Sequence, residues 1–345
     1  MLYSLLRPAL FLMDGETAHG LSLAGLKMMP AASPPAQPAL AQTVAGLVFP
    51  NPVGLAPGYD KNAEICAQAF GLGFGFVEVG SVTPRPQEGN PRPRLFRLVE
   101  DRAVINRMGF NNDGMDVVAA RLASLDRARL GGPLGINVGA NKDSVDRIAD
   151  YVTAIDRLAP LGDYVTVNIS SPNTPGLRAL QDKAALDDLL ARVKDAVPAG
   201  QPVFLKVAPD LEPTDIDDIT ASVIEHRIDA LIVSNTTITR PALRSGHAGE
   251  SGGLSGAPLR DLAQQRLRDF ALATGGALPL IGVGGIASGA EAYARIRDGA
   301  SLVQLYSALV FEGPMLAKRI NRELLALLKR DGFAKISEAV GVDRL

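Results

Sequence analysis

Residues 164–208, YVTVNISSPNTPGLRALQDKAALDDLLARVKDAVPAGQPVFLKVA, contain the pattern that decides the fold. The apolar runs at 164–170 and 203–208 have the length of short strands. Between them, apolar side chains recur at helical spacing, at Leu186, Leu189, Leu190, Val193 and Val197. Near-continuous apolar strands separated by a helix are typical of parallel strands that are buried on both faces. This stretch therefore predicts a strand–helix–strand unit of a parallel sheet.

The same alternation extends along most of the chain. Six further apolar runs predict strands, at 53–58, 75–82, 134–140, 230–235, 278–284 and 301–307. Eight strands that alternate with helices indicate a closed (β/α)8 barrel of the α/β class, a TIM barrel, rather than an open sheet. We assign residues 43–345 to this barrel.

The first 42 residues differ in composition, since they contain only four charged residues, Arg7, Asp14, Glu16 and Lys27. An apolar stripe at helical spacing comprises Leu2, Leu5, Leu6, Ala9, Leu10 and Met13. A second helix is expected over 16–29, and the proline-rich segment 30–38 predicts an extended linker. Residues 1–42 therefore predict a two-helix extension in front of the barrel.

Composition excludes several classes of protein. The 345 residues carry a net charge of -2 and no long basic run, so we expect no nucleic-acid partner. The single cysteine, Cys66, excludes an intrachain disulfide framework and a cysteine-rich zinc site, which favours a reduced, cytoplasmic compartment. No apolar run approaches the ~20 residues that span a bilayer. Arg7 interrupts the first apolar stretch, so we expect no signal peptide.

Asparagines concentrate where the predicted strands end, which is where such barrels carry their active sites. The set is Asn106, Asn137, Asn168, Asn173 and Asn235. Each amide offers one acceptor and two donors, which together suit a planar ligand edged with N–H and C=O groups, such as a pyrimidine. A single asparagine at a strand end is more often a turn or cap residue, but five at one rim are not easily explained that way.

Two further features point to a bound anion. The glycine turn 282–286 (GVGGI) precedes a helix and favours a phosphate site, although such turns often only tighten a connection. Lys206 ends an apolar strand, where an ammonium group is costly unless it meets an anion. It could form a salt bridge inside the barrel, or it could lie beside a cofactor that becomes negative on reduction, as a flavin does.

Candidate bases are few. None of the three histidines, His19, His226 and His247, follows a predicted strand, so Ser–His chemistry lacks an evident base. Ser171, in the loop after the fourth strand, remains. A serine hydroxyl is a poor base in water, so its site must exclude solvent. Residues 172–176 could close over it as a lid.

Four motifs, in this order and spacing, resemble those of the dihydroorotate dehydrogenases: 106–110 (NRMGF), 168–176 (NISSPNTPG), 234–237 (SNTT) and 282–286 (GVGGI). Lys61 and Lys206 also match, and the resemblance runs from the first helix to near residue 320. It implies that Ser171 takes a proton from dihydroorotate while hydride passes to FMN, leaving orotate, in de novo pyrimidine (UMP) synthesis. Thr174 and Phe110 would line the proton's exit.

The resemblance also implies binding residues. One FMN would be held by Ala56, Pro57, Gly58, Tyr59, Asp60, Lys61, Ser81, Asn137, Asn168, Lys206, Ser234, Gly256, Gly285, Tyr306 and Ser307. The substrate would be held by Lys61, Asn106, Arg107, Met108, Gly109, Phe110, Asn168, Asn173, Asn235 and Thr236. No metal is implied.

Two features select the electron acceptor. Ser171 occupies the base position at which the soluble class of the family carries cysteine, and the N-terminal helices resemble the membrane-facing addition of the quinone-reducing class. His19, Arg97 and Tyr306 match polar positions beside the quinone tunnel of that class. We therefore expect a quinone-reducing oxidoreductase, monomeric and peripheral on the cytoplasmic face of the cell (inner) membrane.

Three alternatives stay open at this point. The enzyme could be a soluble relative that uses fumarate or NAD. It could be a non-redox TIM barrel that binds a phosphorylated ligand, which would leave Ser171, the asparagines and Lys206 without a role. The N-terminal helices could serve only as a flap over the apolar rim.

Overall fold

The computed structural model describes residues 2–174 and 176–344, apart from the side chains of Leu2 and Ser4. The Leu2 side chain of the predicted apolar stripe and Pro175 of the predicted lid thus lie outside the described residues. The strands are β1 (Gln42–Val44), β2 (Leu47–Phe49), β3 (Val53–Leu55), β4 (Phe76–Val82), β5 (Leu95–Leu98), β6 (Ala103–Asn106), β7 (Leu134–Val138), β8 (Tyr164–Asn168), β9 (Val203–Val207), β10 (Ala230–Val233), β11 (Gly253–Gly256), β12 (Leu280–Val283) and β13 (Ala300–Leu305).

The helices alternate with the strands. They are α1 (Leu2–Phe11), α2 (Gly15–Lys27), α3 (Cys66–Gly71), α4 (Met115–Ala123), α5 (Arg147–Leu158), α6 (Lys183–Ala196), α7 (Pro213–Glu225), α8 (Arg260–Thr274), α9 (Gly289–Arg297), α10 (Ala308–Glu312) and α11 (Leu316–Asp331). Cys66 is a buried free thiol on the first barrel helix.

Eight parallel strands form a closed barrel in the order β3-β4-β7-β8-β9-β10-β12-β13, with β13 pairing back to β3. The predicted (β/α)8 fold is confirmed. Most barrel strands end one to three residues before their predicted limits; for example, β3 ends at Leu55 and β8 at Asn168. The apolar and glycine pattern continues past the point at which neighbouring strands stop pairing. Those extra residues form the C-terminal rim, the edge at the carboxyl ends of the barrel strands.

Aromatic rings close the opposite end of the barrel. The hairpin of β1 and β2 places Val44 and Phe49 in one cluster with Phe76, Tyr164 and Phe204. Gly54 and Gly135 make room for these rings, since a Cβ at either position would lie 2.2 Å or 2.1 Å from the ring of Phe76 or Tyr164. These rings therefore fill this end of the barrel, and a cavity opens towards the C-terminal rim.

A small antiparallel sheet, which the sequence did not predict, covers part of that rim. Strand β11 pairs with β6, and β6 pairs with β5. Residues 253–256, which include Gly253 and Gly256, form a strand. Their glycines have low strand propensity, and pairing with the distant β6 supplies the backbone hydrogen bonds that stabilise them.

The predicted two-helix extension is confirmed, and polar contacts dock it on the barrel. Glu16, in the first turn of α2, accepts hydrogen bonds from Arg94 Nε at 3.0 Å and Nη2 at 2.6 Å. Arg97 donates to the carbonyls of Leu10, Phe11 and Met13, and so satisfies the C-terminal end of α1.

The outer face of the extension is apolar. Its exposed large side chains are Leu5, Leu6, Leu12, Met13, Leu21, Met28 and Met29. Within the residues that the structure describes, no helix combines the length and apolarity that a membrane crossing requires.

Candidate active site

A cavity of about 280 Å³ opens at the C-terminal rim and continues beneath α1 and α2. Its lining includes the predicted base and most predicted substrate residues, namely Lys61, Asn106, Met108, Gly109, Phe110, Asn168, Ser171, Asn173, Asn235 and Thr236. The same cavity is lined by predicted cofactor residues, namely Pro57, Gly58, Tyr59, Lys61, Ser81, Asn168, Lys206, Tyr306 and Ser307. Residues far apart in sequence thus converge on one space.

The asparagines form two hydrogen-bonded groups. In the first, Asn168 Nδ2 donates to Asn137 Oδ1 at 3.1 Å, and Asn235 Nδ2 lies 3.5 Å from Asn168 Oδ1. In the second, Asn173 Nδ2 donates to Asn106 Oδ1 at 3.2 Å. Four of the five line the cavity, whereas Asn137 lies below it, fully buried between strands. The set presents amide donors and acceptors to a single ligand-sized space.

Ser171 lies in the loop after β8 with only 5% of its surface exposed. Its Oγ accepts a hydrogen bond from the Asn173 backbone N–H at 3.3 Å. Among the described residues, no carboxylate or imidazole hydrogen-bonds to this hydroxyl. The buried Thr174, three residues on, has an Oγ1 with no hydrogen-bond partner in the described part of the chain. Ser171 is thus a shielded hydroxyl that faces the cavity.

Two lysines bring positive charge to the cavity. Lys206 is 5% exposed and forms no ion pair with any described residue, so the alternative of a salt bridge inside the barrel is not supported. Burial lowers the pKa of Lys206, and the Glu78 carboxylate acts against that shift. Burial also lowers the pKa of Lys61 to about 8, which leaves it mainly charged at neutral pH. A buried ammonium without a counter-ion calls for an anionic ligand.

A second cavity of about 110 Å³ adjoins the first and shares Lys206, Tyr306 and Ser307 with it. It brings together further predicted cofactor residues, namely Ala56, Ser234, Gly256 and Gly285. Gly285 has a φ of +70°, and a Cβ there would lie 2.4 Å from the Cα of Arg260. Glycine is therefore required where the turn after β12 meets the start of α8. This turn and the nearby Arg102 and Arg260 line a pocket that suits a phosphate.

The first cavity also has an aromatic arm beneath the N-terminal helices. His19 of α2 packs against Tyr59 and Tyr306, with ring centroids 5.1 Å and 6.2 Å away. Burial, followed by the nearby Lys61, lowers the pKa of His19 to about 3, so its imidazole is neutral at physiological pH. Arg97 lines the same arm while it caps α1. The arm ends among apolar side chains of α1, including Leu10 and Phe11.

Besides Asn137, two further predicted binding residues line neither cavity. The Asp60 carboxylate accepts hydrogen bonds from the backbone N–H groups of Glu64 and Ile65, both at 2.8 Å, and so orders the loop that leads into α3. Arg107 turns outward, where it pairs with Glu250 at 2.7 Å. In the structure, the side chains of Asp60 and Arg107 therefore bind other parts of the chain.

Two charged residues beside the site, Arg178 and Glu78, were not predicted from the sequence. Arg178 donates to Ser170 O at 3.1 Å, to Thr236 O at 3.1 Å and to Asp210 at 2.9 Å, and so ties together the loops after β8, β9 and β10. Glu78 lies fully buried inside the barrel. Its signal was a carboxylate within the apolar run 75–82, the same kind of signal that identified Lys206.

Comparisons with known proteins agree with this geometry. The family model described as "Dihydroorotate dehydrogenase" matches residues 39–328. A "Dihydroorotate dehydrogenase (quinone)" of Sphingopyxis alaskensis is 63% identical over 342 residues, covering 98% of this chain and 96% of the relative. The enzyme of the same name from Novosphingobium aromaticivorans is 61% identical, covering 98% and 99%. A crystal structure of Eimeria tenella DHODH in complex with ferulenol superposes with a TM-score of 0.92 at 40% identity, covering 96% of both chains.

Proposed function

The chain belongs to the dihydroorotate dehydrogenase family, and from that premise we propose that it is a quinone-dependent dihydroorotate dehydrogenase. It oxidises dihydroorotate to orotate, a step of pyrimidine biosynthesis, and delivers the two electrons to a quinone. The observation that carries the proposal is the continuity of the larger cavity. It joins Ser171 and the asparagines at the C-terminal rim to the apolar helices α1 and α2.

The cofactor is a flavin, and we propose FMN. When bound, it supplies a two-electron acceptor for the hydride of dihydroorotate and a donor for the quinone. Three features of the chain fit it. Lys206 is a buried cation without an ion-pair partner among the described residues. Ser81 and Ser234 place hydroxyl groups at the ends of β4 and β10. The pocket at Gly256 and Gly285 suits the single phosphate of FMN.

The side chains at the rim carry the substrate chemistry. Ser171 is the base that holds the proton released from dihydroorotate, and its burial excludes the water that would otherwise compete. Asn106, Asn168, Asn173 and Asn235 recognise the N–H and C=O edges of the pyrimidine ring. Lys61 pairs with the carboxylate of the substrate.

The quinone enters by the aromatic arm. Its lining changes from the polar Tyr59 and Tyr306 near the barrel to Leu10 and Phe11 of α1, which suits a molecule with a polar ring and an apolar tail. The exposed Leu5, of which 77% is accessible, belongs to an outer face that rests on the membrane as a peripheral surface.

One experiment tests the chemistry and the acceptor together. The purified protein is expected to be yellow, and its flavin absorbance to bleach when dihydroorotate is added without oxygen. The reduced protein is then mixed in parallel with a soluble ubiquinone analogue, fumarate or NAD. Reoxidation by the quinone at least 100-fold faster than by the other two is the expected result. Preferred reoxidation by fumarate or NAD would assign the chain to the soluble chemistry, and protein that takes up no flavin would overturn the proposal.

A further inference from the structure

Glu78 lies inside the barrel at the centre of β4, with no exposed surface. Three side chains from three other strands donate to its carboxylate. They are Asn137 of β7 at 2.8 Å, Gln304 of β13 at 2.7 Å and Tyr164 of β8 at 3.2 Å. A carboxylate that receives three donors acts only as an acceptor, so it dictates which end of each neighbouring amide faces it.

The first consequence falls on Asn137. Its Nδ2 must point down to Glu78, so its Oδ1 points up towards the C-terminal rim. There the Oδ1 accepts hydrogen bonds from Ser81 Oγ and from Asn168 Nδ2. An asparagine alone has two nearly isosteric orientations, and the carboxylate below selects one of them.

The same direction passes on to the cavity. Because Asn168 presents its Nδ2 to Asn137, its Oδ1 is left to accept from Ser170 Oγ at 2.9 Å. Asn235 presents its Nδ2 to Ser170 Oγ, also at 2.9 Å. Asn235 Oδ1 therefore points away from Ser170 and accepts a hydrogen bond from the Thr236 N–H at 2.8 Å. Glu78, Asn137, Asn168 and Asn235 make one directional series, the amide relay.

We propose that Glu78 is a positioning residue that sets the donor and acceptor direction of the amide relay, and thereby the pattern of hydrogen-bonding groups that the cavity offers to orotate. This inference rests on the proposed function, since Asn168 and Asn235 are taken as substrate residues. Glu78 itself lines neither cavity.

The charge of Glu78 also affects Lys206, on strand β9. Lys206 lies opposite Asn168 in the parallel pairing of β8 and β9, and the Glu78 carboxylate acts against the burial that lowers the pKa of Lys206. Glu78 also orients the amide of Gln304. The Gln304 Nε2 donates to Glu78, whereas the Gln304 Oε1 has no hydrogen-bond partner among the described residues. The unpartnered oxygen of Gln304 thus points away from Glu78.

Exchange of charge between Glu78 and Gln304 tests the proposal. In Glu78→Gln, two neutral amides face each other, so neither has a fixed direction, and Asn137 is no longer held in one orientation. In the double variant Glu78→Gln/Gln304→Glu, the carboxylate introduced at position 304 accepts a hydrogen bond from the Nε2 of the amide introduced at position 78. The oxygen of that amide must then face Asn137. The exchange conserves volume and restores both the buried charge and the direction.

The readout is the Kd of orotate, measured by titration of the flavin absorbance, together with flavin content and Tm. Glu78→Gln is expected to weaken orotate binding roughly tenfold, which corresponds to about 1.4 kcal/mol. The double variant is expected to return to within about threefold of the unmodified protein, by the same conversion. Asp298→Asn is the matched control. It removes a buried carboxylate that accepts from Gln264 at 2.6 Å, outside the barrel, and should leave the orotate Kd unchanged.

Each outcome of the orotate titration either supports or overturns the proposed role of Glu78. A loss in Glu78→Gln that the exchange restores supports the proposal. A change of less than roughly threefold, or a loss that the exchange does not restore, overturns it. If Glu78→Gln takes up no flavin, recovery of flavin content in the double variant supports the proposal and continued absence overturns it. Failure of the unmodified protein to bind flavin or orotate would instead refute the proposed function.

Discussion

Ser171 owes its proposed role to its surroundings rather than to its residue type. A serine hydroxyl in water is a weak base, but here it is almost wholly buried and faces a cavity lined by Asn173 and Lys206. Within the described residues, the histidine that lines the same cavity, His19, is packed between two tyrosines and hydrogen-bonds to no part of Ser171. The shielded position is what suits this hydroxyl to proton transfer.

Substitution of Ser171 tests that role. In Ser171→Ala, reduction of the flavin by dihydroorotate should slow by about 10²–10⁴-fold, the usual contribution of general base catalysis, while flavin remains bound. Anaerobic stopped-flow absorbance measures the rate. Ser222→Ala, which alters a buried serine on the outer helix α7, is the control and should reduce at the normal rate. Near-normal reduction in Ser171→Ala would remove the hydroxyl from the mechanism.

Lys61 predicts a pH dependence. Burial lowers the pKa of Lys61 to about 8, against the carboxylates of Glu16 and Asp60, so the ammonium loses its proton as the pH rises through 8. Orotate is an anion, and its Kd should rise about fivefold between pH 8 and pH 9. Lys61→Arg keeps its charge throughout this range and should bind orotate with a nearly constant Kd. An equal pH dependence in both proteins would assign the titration to another group.

At the scale of elements, helix α2 carries two groups, His19 and Glu16, whose pKa values are both lowered in the docked structure. His19 is held neutral, since burial and then Lys61 lower its pKa to about 3. The hydrogen bond from Arg94, opposed by burial, lowers the pKa of Glu16. Both groups therefore bind fewer protons when α2 is docked than when it is free, and both favour docking at higher pH.

Acidification should release α2 in a window set by His19. A free histidine titrates near pH 6.5. Below that pH, His19 binds a proton when α2 is undocked but stays neutral when α2 is docked. At pH 5 the docking equilibrium should fall by up to about 30-fold, which is about 2 kcal/mol. Hydrogen exchange of the α2 amides measures it. Glu16 acts only below about pH 4.5, so His19→Phe should abolish the change between pH 6.5 and 5. Persistence of the change in that variant would contradict the assignment.

The antiparallel sheet of β5, β6 and β11 is an element of another kind. Two excursions from the barrel, one after β4 and one after β10, meet over the rim, although about 150 residues separate their paired strands along the chain. Their pairing brings Asn106, at the end of β6, into contact with Asn173 from the loop after β8. The sheet therefore completes the substrate side of the cavity.

At the scale of the whole molecule, the barrel and the extension share one cavity, but they serve different halves of the reaction. Deletion of residues 1–42 removes His19 and the helices that cover the aromatic arm, whereas every residue of the amide relay is retained. Flavin reduction by dihydroorotate should remain within a few-fold of normal, whereas reoxidation by a membrane quinone and sedimentation with lipid vesicles should decline by at least about tenfold. Unchanged quinone turnover in the truncated protein would show that electrons leave by another route.

The amino-acid pattern alone determined the barrel and the two N-terminal helices, and it located four asparagines, Lys206 and Ser171 of the cavity lining. Most other predicted lining residues came from the family resemblance. Apolar spacing of two or 3.6 residues reports local burial, and runs of such segments allow few topologies. The polar side chains at strand ends could be located for the same reason, because a parallel barrel brings all its carboxyl ends to one rim.

Tertiary structure decided what these side chains do. Glu78 and Gln304 lie 226 positions apart and meet only because the barrel closes. Asp60 and Arg107 occupy motif positions, yet their side chains turn to the backbone and to Glu250. A hydrogen bond depends on two partners and an orientation, and strand register and closure determine both. One-dimensional periodicity reports how deeply a residue is buried, but it does not report which partner that residue meets.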